Sequence, residues 1–470
     1  MKISNKLFTK GLSKDEFSLL FILFMTFLTG LLYYFNFISI NYTFLTLIAF
    51  ITIFFITIYY WKIREKVSIF FTIMIYTYTL FTQFGLCFTY YLITKSVVST
   101  YGWKTQSFLY SEYYPQVLGL ALISVALLVL SALLMHYLIP KKDNSNFRLL
   151  NQIEERIGSK IALALLTIVL LYFCYYIVTG KIYLGMDYND YRVSGVLEGL
   201  YDYIIIFYSI SICFLVACAK GWEFKIGVIL FLITAIILFS CGNRGEVLFP
   251  FLACLGIIVY KQQTINYKYI LAGAVIVLVF IPVVKVFRHL GDSNLLTAYI
   301  EASPLSGLAE MGVSMRMTNY IVTELQNGTR EFLNGFSYYN PVINILDHFV
   351  PFNIRLEPPI YFNFRNSFYF LKAMTPVAES FANFGLFGVI LHHSIIGGVL
   401  GVLEGIKPTG IKLGLLASIT ATLVYATRNV FSGVPAQIFL CLVIYYSIKI
   451  ISRIFYQRRK VKNYDKAINQ

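Results

Sequence analysis

The stretch PQVLGLALISVALLVLSALLMHYLI, residues 115–139, contains no Asp, Glu, Lys or Arg. A helix that crosses a bilayer needs about 20 mostly apolar residues, so this stretch alone predicts a membrane span. Comparable runs recur along the chain of 470 residues, of which 58% are hydrophobic and 13% charged. Soluble domains are roughly 25% charged. The sequence therefore predicts an all-α, polytopic integral membrane protein.

We predict about twelve transmembrane helices, since each apolar run is close to the length that a bilayer requires. Their expected bounds are 17–35, 42–61, 67–93, 115–139, 160–179, 201–219, 224–241, 245–260, 267–287, 377–403, 411–429 and 435–455. An even number of crossings returns both termini to the same side of the membrane. The chain contains no internal repeat, and we expect a single membrane domain over residues 1–470.

The longest connection, residues 288–376, is predicted to be an ordered loop that contains short helices. Ser303–Pro304 and Asn340–Pro341 each combine an N-cap residue with proline at the first helical position. The two helices are expected to end near Leu325 and Phe349. Long ordered loops usually carry function.

The basic residues are divided by type between the two sides of the predicted membrane. The even-numbered connections and both tails carry 19 Lys and 6 Arg, whereas the odd-numbered connections carry 5 Lys and 8 Arg. The lysine-rich side with both termini is cytoplasmic by the positive-inside rule. This distribution accounts for most of the net charge of +15, and nucleic-acid binding is not expected. Arginine forms a planar fork suited to phosphate, so its enrichment outside indicates an extracytoplasmic site for a phosphate-bearing substrate.

The first candidate motif is Cys-Gly-Asn-Arg-Gly-Glu, residues 241–246, in the tight turn between the seventh and eighth spans. Its glycines let the backbone approach a ligand, and Arg244 lies at membrane depth beside Glu246. A charge in that position is costly unless it is paired or functional. Arg244 is therefore a candidate catalytic residue, the alternative being a snorkelling arginine neutralised by Glu246.

The second candidate motif, Asp-Tyr-Asn-Asp-Tyr-Arg at residues 187–192, follows the fifth span in an outside loop. Tyr188 and Arg192 are suited to hold a pyrophosphate and an adjoining sugar. An exposed polar loop without a ligand is the alternative.

The third candidate motif runs from Thr375 to Gly385 and opens the tenth span on the outer side. Glu379 and Asn383 are four residues apart and therefore share one helical face. A carboxylate at this level of the membrane is a candidate general base for a sugar hydroxyl. The alternative is a charge that merely favours a helix N-terminus.

Three segments together resemble the O-antigen polysaccharide polymerases, the Wzy-type polymerases of oligosaccharide repeat units. They are residues 241–246 with the apolar run that follows, 188–194, and ESFANFGLFG at 379–388. The many-span plan with one large outside loop late in the chain agrees with that family. Arg316 and Gly328 are one residue too far apart for the Arg-x10-Gly pattern of some members, so a mechanism built on that pattern is not transferred.

The resemblance implies a glycosyltransferase of the bacterial plasma membrane that polymerises undecaprenyl-diphosphate-linked oligosaccharides for O-antigen, capsule or exopolysaccharide. Glu379 would be the base and Arg244 would stabilise the leaving diphosphate. The other predicted substrate-binding residues are Arg192, Tyr188, Arg288, Arg316, Arg428, Asn383 and His348. Because the leaving group is already activated, no metal or other cofactor is expected. The expected partners are membrane lipid, a chain-length regulator and a flippase.

Two other functions remain open at this stage. An O-antigen ligase would use a similar donor with another acceptor, and a flippase or transporter would move the same lipid-linked sugars without joining them. Transporters tend to place functional charges in mid-span, whereas the arginines here lie at span ends and in loops. His392 and His393 point about 100° apart on a helix, so we expect packing contacts from them and not metal binding.

Overall fold

In a computed structural model of the chain, every regular element among the described residues is helical. The described residues are 14–39, 44, 47–48, 51–56, 74–75, 77–79, 82, 111–138, 148–183, 186, 191, 200–241, 243, 245–262, 314–339, 343, 375–404, 410–429 and 431–468. This helical architecture confirms the predicted all-α fold.

Ten longer helices are described; nine of them correspond to predicted spans, and one, Met315–Gln326, lies in the predicted large loop. They are α1 Lys14–Tyr34, α2 Tyr114–Leu138, α3 Arg148–Val178, α4 Tyr201–Cys218, α5 Gly221–Ser240, α6 Gly245–Gln262, α7 Met315–Gln326, α8 Pro376–Glu404, α9 Ile411–Ala426 and α10 Val434–Ile468. The predicted spans 42–61 and 67–93 lie only partly within the described residues, and 267–287 lies outside them.

Two helices extend well past their predicted apolar cores. Helix α3 begins at Arg148 although the apolar run begins near residue 160, and α10 continues to Ile468. Charged residues such as those at 154–156 lower the hydropathy of a segment, yet Glu, Arg and Lys are good helix formers. Hydropathy therefore located the spans but not the full length of these helices.

Six described helices are long and apolar enough to cross a membrane, and two shorter apolar helices accompany them. On α5, large side chains such as Ile229, Leu232 and Ile236 are more than half exposed. A helix satisfies its own backbone hydrogen bonds, so such a face is stable against lipid. The chain is an integral membrane protein.

The chain divides into two compact units. Unit 1 comprises Met1–Lys141, Leu305–Ile406 and Ala426–Ala436, and unit 2 comprises Lys142–Pro304, Lys407–Tyr425 and Gln437–Gln470.

In unit 1, α2 packs against both α1 and α8. Glycines permit this close approach: a Cβ added at Gly397 or Gly401 of α8 would lie 2.1 or 2.2 Å from the carbonyl oxygen of Leu128 or Ala132. Small residues four apart in this way let membrane helices pack backbone to backbone. The contact fixes α8, which carries the third candidate motif.

In unit 2, α4 packs against α3, α5 and α6. Tyr208 stacks on Phe231 with ring centroids 4.9 Å apart and donates a hydrogen bond to the Phe231 carbonyl at 3.1 Å. Asn243 and Tyr191, described residues of the first and second candidate motifs, lie at the Tyr201 end of α4.

The described part of the large loop contains one of its two predicted helices. Helix α7 ends at Gln326, one residue beyond the predicted end, while the predicted start at Ser303–Pro304 lies outside the described residues. The second predicted helix falls almost entirely outside them. A helical turn at 336–339 precedes its expected start.

Candidate functional site

Helix α8 begins where the sequence predicted. The Thr375 hydroxyl oxygen accepts the N–H of Ala378 at 3.2 Å, and Pro376 occupies the first helical position. Threonine caps a helix in this way because its side-chain oxygen satisfies a backbone donor that the helix leaves open. The capped turn presents Glu379 to the interior of unit 1.

Glu379 is fully buried, and its side chain joins three segments of unit 1. One carboxylate oxygen accepts a hydrogen bond from the Ser337 hydroxyl at 2.7 Å, and the other accepts the backbone N–H of Phe431. Hydrogen bonds of this kind stabilise a buried charge. The arrangement holds the carboxylate in one orientation.

Asn383 lies one turn after Glu379 on the same helical face, as its spacing predicted. Its amide nitrogen donates to the Ser337 hydroxyl oxygen at 2.8 Å and to the Glu379 carbonyl at 2.8 Å. Both partners can only accept here, because the Ser337 proton is directed at Glu379, so the orientation of the amide is fixed. The Asn383 side-chain oxygen is buried and has no hydrogen-bond partner among the described residues.

Helix α8 is broken immediately after Asn383, at Phe384 and Gly385. Gly385 has φ 61° and ψ −146°, a conformation essentially restricted to glycine. The break frees the carbonyls of Ala382 and Asn383, which accept the N–H groups of Leu333 (2.9 Å) and Asn334 (3.2 Å). The large loop is thereby attached to the broken helix by backbone hydrogen bonds.

Gly388 is the second glycine that this break requires. A Cβ added at Gly388 would lie 2.1 Å from the carbonyl oxygen of Ser380. The two halves of α8 therefore approach each other across the break more closely than any side chain permits. This explains both glycines of the segment ESFANFGLFG.

Three rings near Glu379, those of Tyr338, His392 and Phe431, pack against one another. The Tyr338 hydroxyl lies 3.1 Å from His392 Nδ1, and the two rings stack with centroids 5.7 Å apart. The His392 ring also meets the Phe431 ring edge to face at 4.6 Å. Burial raises the pKa of Tyr338, and the nearby charge of Glu379 raises it further, so the phenol stays neutral.

His392 and His393 contact different partners, as expected for packing residues. His393 Nε2 lies 2.6 Å from the Tyr78 hydroxyl, which in turn contacts Ser124 at 2.8 Å. These bonds join three segments of unit 1. Among the described residues, no group of three potential metal ligands converges. The expectation that no metal is needed stays a prediction.

In unit 2, one described residue of the first candidate motif and one of the second both contact Tyr201. The buried ring of Tyr191 packs edge to face on the Tyr201 ring at 6.2 Å, and the Asn243 amide donates to the Tyr201 hydroxyl at 3.3 Å. Burial raises the pKa of Tyr191. Tyr191 and Asn243 are the immediate neighbours of Arg192 and Arg244 in the chain.

The remaining predicted site residues divide into two groups. Arg316, on α7, and Arg428, three residues before Phe431, are described and half-buried in unit 1. The other five lie outside the described residues: Arg244, Arg192, Tyr188, Arg288 and His348.

Three residues of the site around Glu379 were not predicted from the sequence. Ser337 and Tyr338 belong to the large loop, in a stretch without any of the three candidate motifs. Phe431 contributes its backbone N–H, which any residue except proline would provide. The available signal for an ordered turn there was the short segment between two apolar helices, which end at Ala426 and begin at Val434.

Comparison with known proteins identifies related sequences. The family described as "O-antigen polysaccharide polymerase Wzy" matches residues 17–459. Protein CapE of Staphylococcus aureus is 30% identical over 275 residues, which cover 57% of this chain and 60% of that protein. The chain thus matches less than two thirds of the length of this relative. No solved structure matches significantly.

Proposed function

This chain belongs to the O-antigen polysaccharide polymerase Wzy family, and from that premise we propose that it joins lipid-linked oligosaccharide repeat units into a surface polysaccharide. The units are carried on a polyprenyl diphosphate, undecaprenyl diphosphate in bacteria, and the reaction takes place on the extracytoplasmic face. The surface polysaccharide is an O-antigen, a capsule or an exopolysaccharide.

The reaction is a glycosyl transfer with an activated donor. A hydroxyl of the incoming unit attacks the anomeric carbon of the growing chain, a new glycosidic C–O bond forms, and the bond to the diphosphate breaks. The diphosphate leaves with the electron pair, and the hydroxyl proton passes to a base. The transfer as written is complete without a nucleotide or a metal ion.

Glu379 is the proposed base. The observation that carries this assignment is its fully buried carboxylate, held by Ser337 and Phe431 at the broken helix. The Phe431 N–H belongs to the backbone and fixes one oxygen, whereas the Ser337 hydroxyl can rotate away from the other. An acceptor hydroxyl that replaces Ser337 at that oxygen would be in place to transfer its proton.

Arginines are proposed to bind the diphosphate and to stabilise the negative charge as it leaves. Arg244 is the principal candidate and Arg192 the second; the residues next to them in the chain, Asn243 and Tyr191, both contact Tyr201. Arg428 lies three residues before the Phe431 N–H that binds Glu379, and Arg316 lies on α7. Arg288 completes the set.

The sidedness of this proposal rests on the partition of lysine and arginine, with both termini in the cytoplasm. Single cysteines at positions 148 and 460 should react with an impermeant reagent only after the membrane is opened. A cysteine at 330 should react in intact cells. Protection of position 330 in intact cells would place the arginines on the cytoplasmic side and contradict the proposal.

Deletion of the gene tests the function itself. The polymerase proposal predicts cells that keep single-unit glycan on the lipid carrier and lose the polymer. A flippase would instead leave no units in the outer leaflet. A ligase would leave polymer that stays on its lipid carrier, without transfer to an acceptor such as lipid A core. A chain-length regulator and a flippase are the proposed partners in the same pathway.

A further inference from the structure

Helix α7 lies across the beginnings of two membrane helices, α8 and α2, and packs against both. Near its first turn, the Thr318 hydroxyl lies 3.0 Å from that of Thr375, the residue that caps α8. Just beyond its last turn, the Asn327 side-chain oxygen accepts a hydrogen bond from the Tyr113 hydroxyl at 2.8 Å. Tyr113 directly precedes α2, so both ends of α7 are attached to unit 1.

Between these two attachments, three buried side-chain oxygens lack hydrogen-bond partners among the described residues. Asn319 and Thr323 are one turn apart on a single face of α7, and Gln116 lies in the first turn of α2. Asn319 is only 6% exposed. Folded proteins leave few buried polar atoms unpaired, because each such atom gives up its hydrogen bonds to water without replacement.

We propose that Asn319 and Thr323, the α7 polar face, together with Gln116 of α2, bind hydroxyl groups of the glycan that the enzyme elongates. This inference rests on the proposed function and assigns the sugar part of the substrate to a specific helix. Two of the unpaired atoms, Asn319 Oδ1 and Gln116 Oε1, are amide oxygens that can only accept, and the third is the Thr323 hydroxyl, which can accept or donate. Sugar hydroxyls both donate and accept, so they suit all three, whereas an ionised diphosphate carries no donor for the two amide oxygens.

The three oxygens are closed off from solvent, so the glycan reaches them only when α7 moves away from α2 and α8. The bonds that must open are the neutral contacts at the two ends of α7, Thr318 with Thr375 and Tyr113 with Asn327. Neutral hydrogen bonds exchange with water or sugar hydroxyls at small net cost. Thr375 is four residues before Glu379, so the Thr318 end of α7 lies about one helical turn from the proposed base.

Substitution by apolar residues of similar shape separates a binding role from a structural one. If the α7 polar face has no ligand, removal of its unpaired polar atoms leaves activity unchanged and does not lower stability. If it binds the glycan, the same change weakens binding of substrate while the protein stays folded. The variant Asn319→Leu/Thr323→Val makes this change.

A matched control is available within the same unit. Thr79 is fully buried, and its hydroxyl likewise has no hydrogen-bond partner among the described residues. Thr79→Val therefore removes an unpaired hydroxyl of the same type from the predicted interior of the membrane. Thr323→Ser provides the conservative variant, since it keeps the hydroxyl.

The test uses the full-length protein in lipid nanodiscs, with lipid-linked repeat units extracted from cells that lack the gene. We expect Asn319→Leu/Thr323→Val to raise KM by roughly tenfold or more, since each neutral hydrogen bond contributes roughly 2- to 12-fold. The kcat and the melting temperature should stay close to wild type, Thr79→Val should keep the wild-type KM, and Thr323→Ser should raise KM less than Thr323→Val. A KM within twofold of wild type in the double variant would overturn the proposal.

Two further outcomes remain interpretable. If the double variant does not accumulate, Thr323→Val alone is compared with Thr79→Val, and equal KM values would overturn the proposal. If the wild-type protein itself forms no polymer from the lipid-linked units, it is the proposed function that fails. The two failures are therefore distinguishable.

Discussion

Ser337 and Glu379, 42 positions apart in the chain, share a buried hydrogen bond of 2.7 Å. Ser337 also accepts the Asn383 amide, so one hydroxyl connects the large loop to both polar residues of the broken helix. Glu379 is thus part of a network and is not simply a favourable charge near a helix N-terminus.

Ser337→Ala should destabilise the protein by about 1–3 kcal/mol, because it removes a donor from Glu379 and an acceptor from Asn383 while both stay buried. Thermal unfolding of the purified protein measures this loss. Ser380→Ala is the matched control. Its hydroxyl is equally buried but donates only to carbonyls within its own helix, at 2.6 Å from that of Pro376. Equal melting temperatures for the two variants would show that the Ser337 bond contributes nothing.

Glu379→Gln should yield a folded protein that accumulates single lipid-linked units. The amide oxygen of glutamine can still accept the Phe431 N–H, and its nitrogen can donate to Ser337. It cannot take up a proton at neutral pH, and loss of a general base slows a reaction by roughly 10²–10⁴-fold. Turnover is measured with purified protein and lipid-linked substrate. A rate within a few-fold of wild type would exclude Glu379 as the base.

Gly385→Ala and Gly388→Ala should each reduce stability by at least about 1–3 kcal/mol. At Gly385 the cost comes from the backbone conformation, and at Gly388 it comes from overlap with the Ser380 carbonyl. Membrane abundance and thermal unfolding report the effect. Gly398→Ala, in the same helix, is the control, since its new Cβ would meet only Met135 at an ordinary 3.6 Å. Comparable losses in all three variants would argue against a specific requirement at the break.

The membrane spans were predictable because apolar length is a property of local sequence. Span bounds such as 115–139 and 377–403 agree with helices at Tyr114–Leu138 and Pro376–Glu404 to within two residues. The start of this helix at Thr375–Pro376 was likewise predictable from the local sequence. The break at Gly385 was not predicted, because hydropathy continues unchanged through it. The available signal for the break was the pair Gly385 and Gly388, three residues apart.

The partners of Glu379 could not have been predicted from the sequence. Ser337 lies in a different segment, and the Phe431 contact uses a backbone group that does not depend on residue type. The spacing of Glu379 and Asn383 predicted a shared face but not their common partner. Local periodicity places residues on one helix, whereas contacts between distant segments depend on how the helices pack.

Arg244→Lys tests the proposed role of Arg244 in binding the diphosphate. Lysine keeps the positive charge but loses the planar fork that binds phosphate through two hydrogen bonds, so polymer formation should fall strongly while protein abundance stays near normal. Arg156→Lys is the matched control, because Arg156 lies exposed on α3 on the predicted cytoplasmic side. Polymer is measured on gels of surface polysaccharide, with abundance from immunoblots of the membrane fraction. Wild-type polymer in Arg244→Lys would mean that a positive charge alone suffices at this turn, and Arg244 would then be a snorkelling or topological residue.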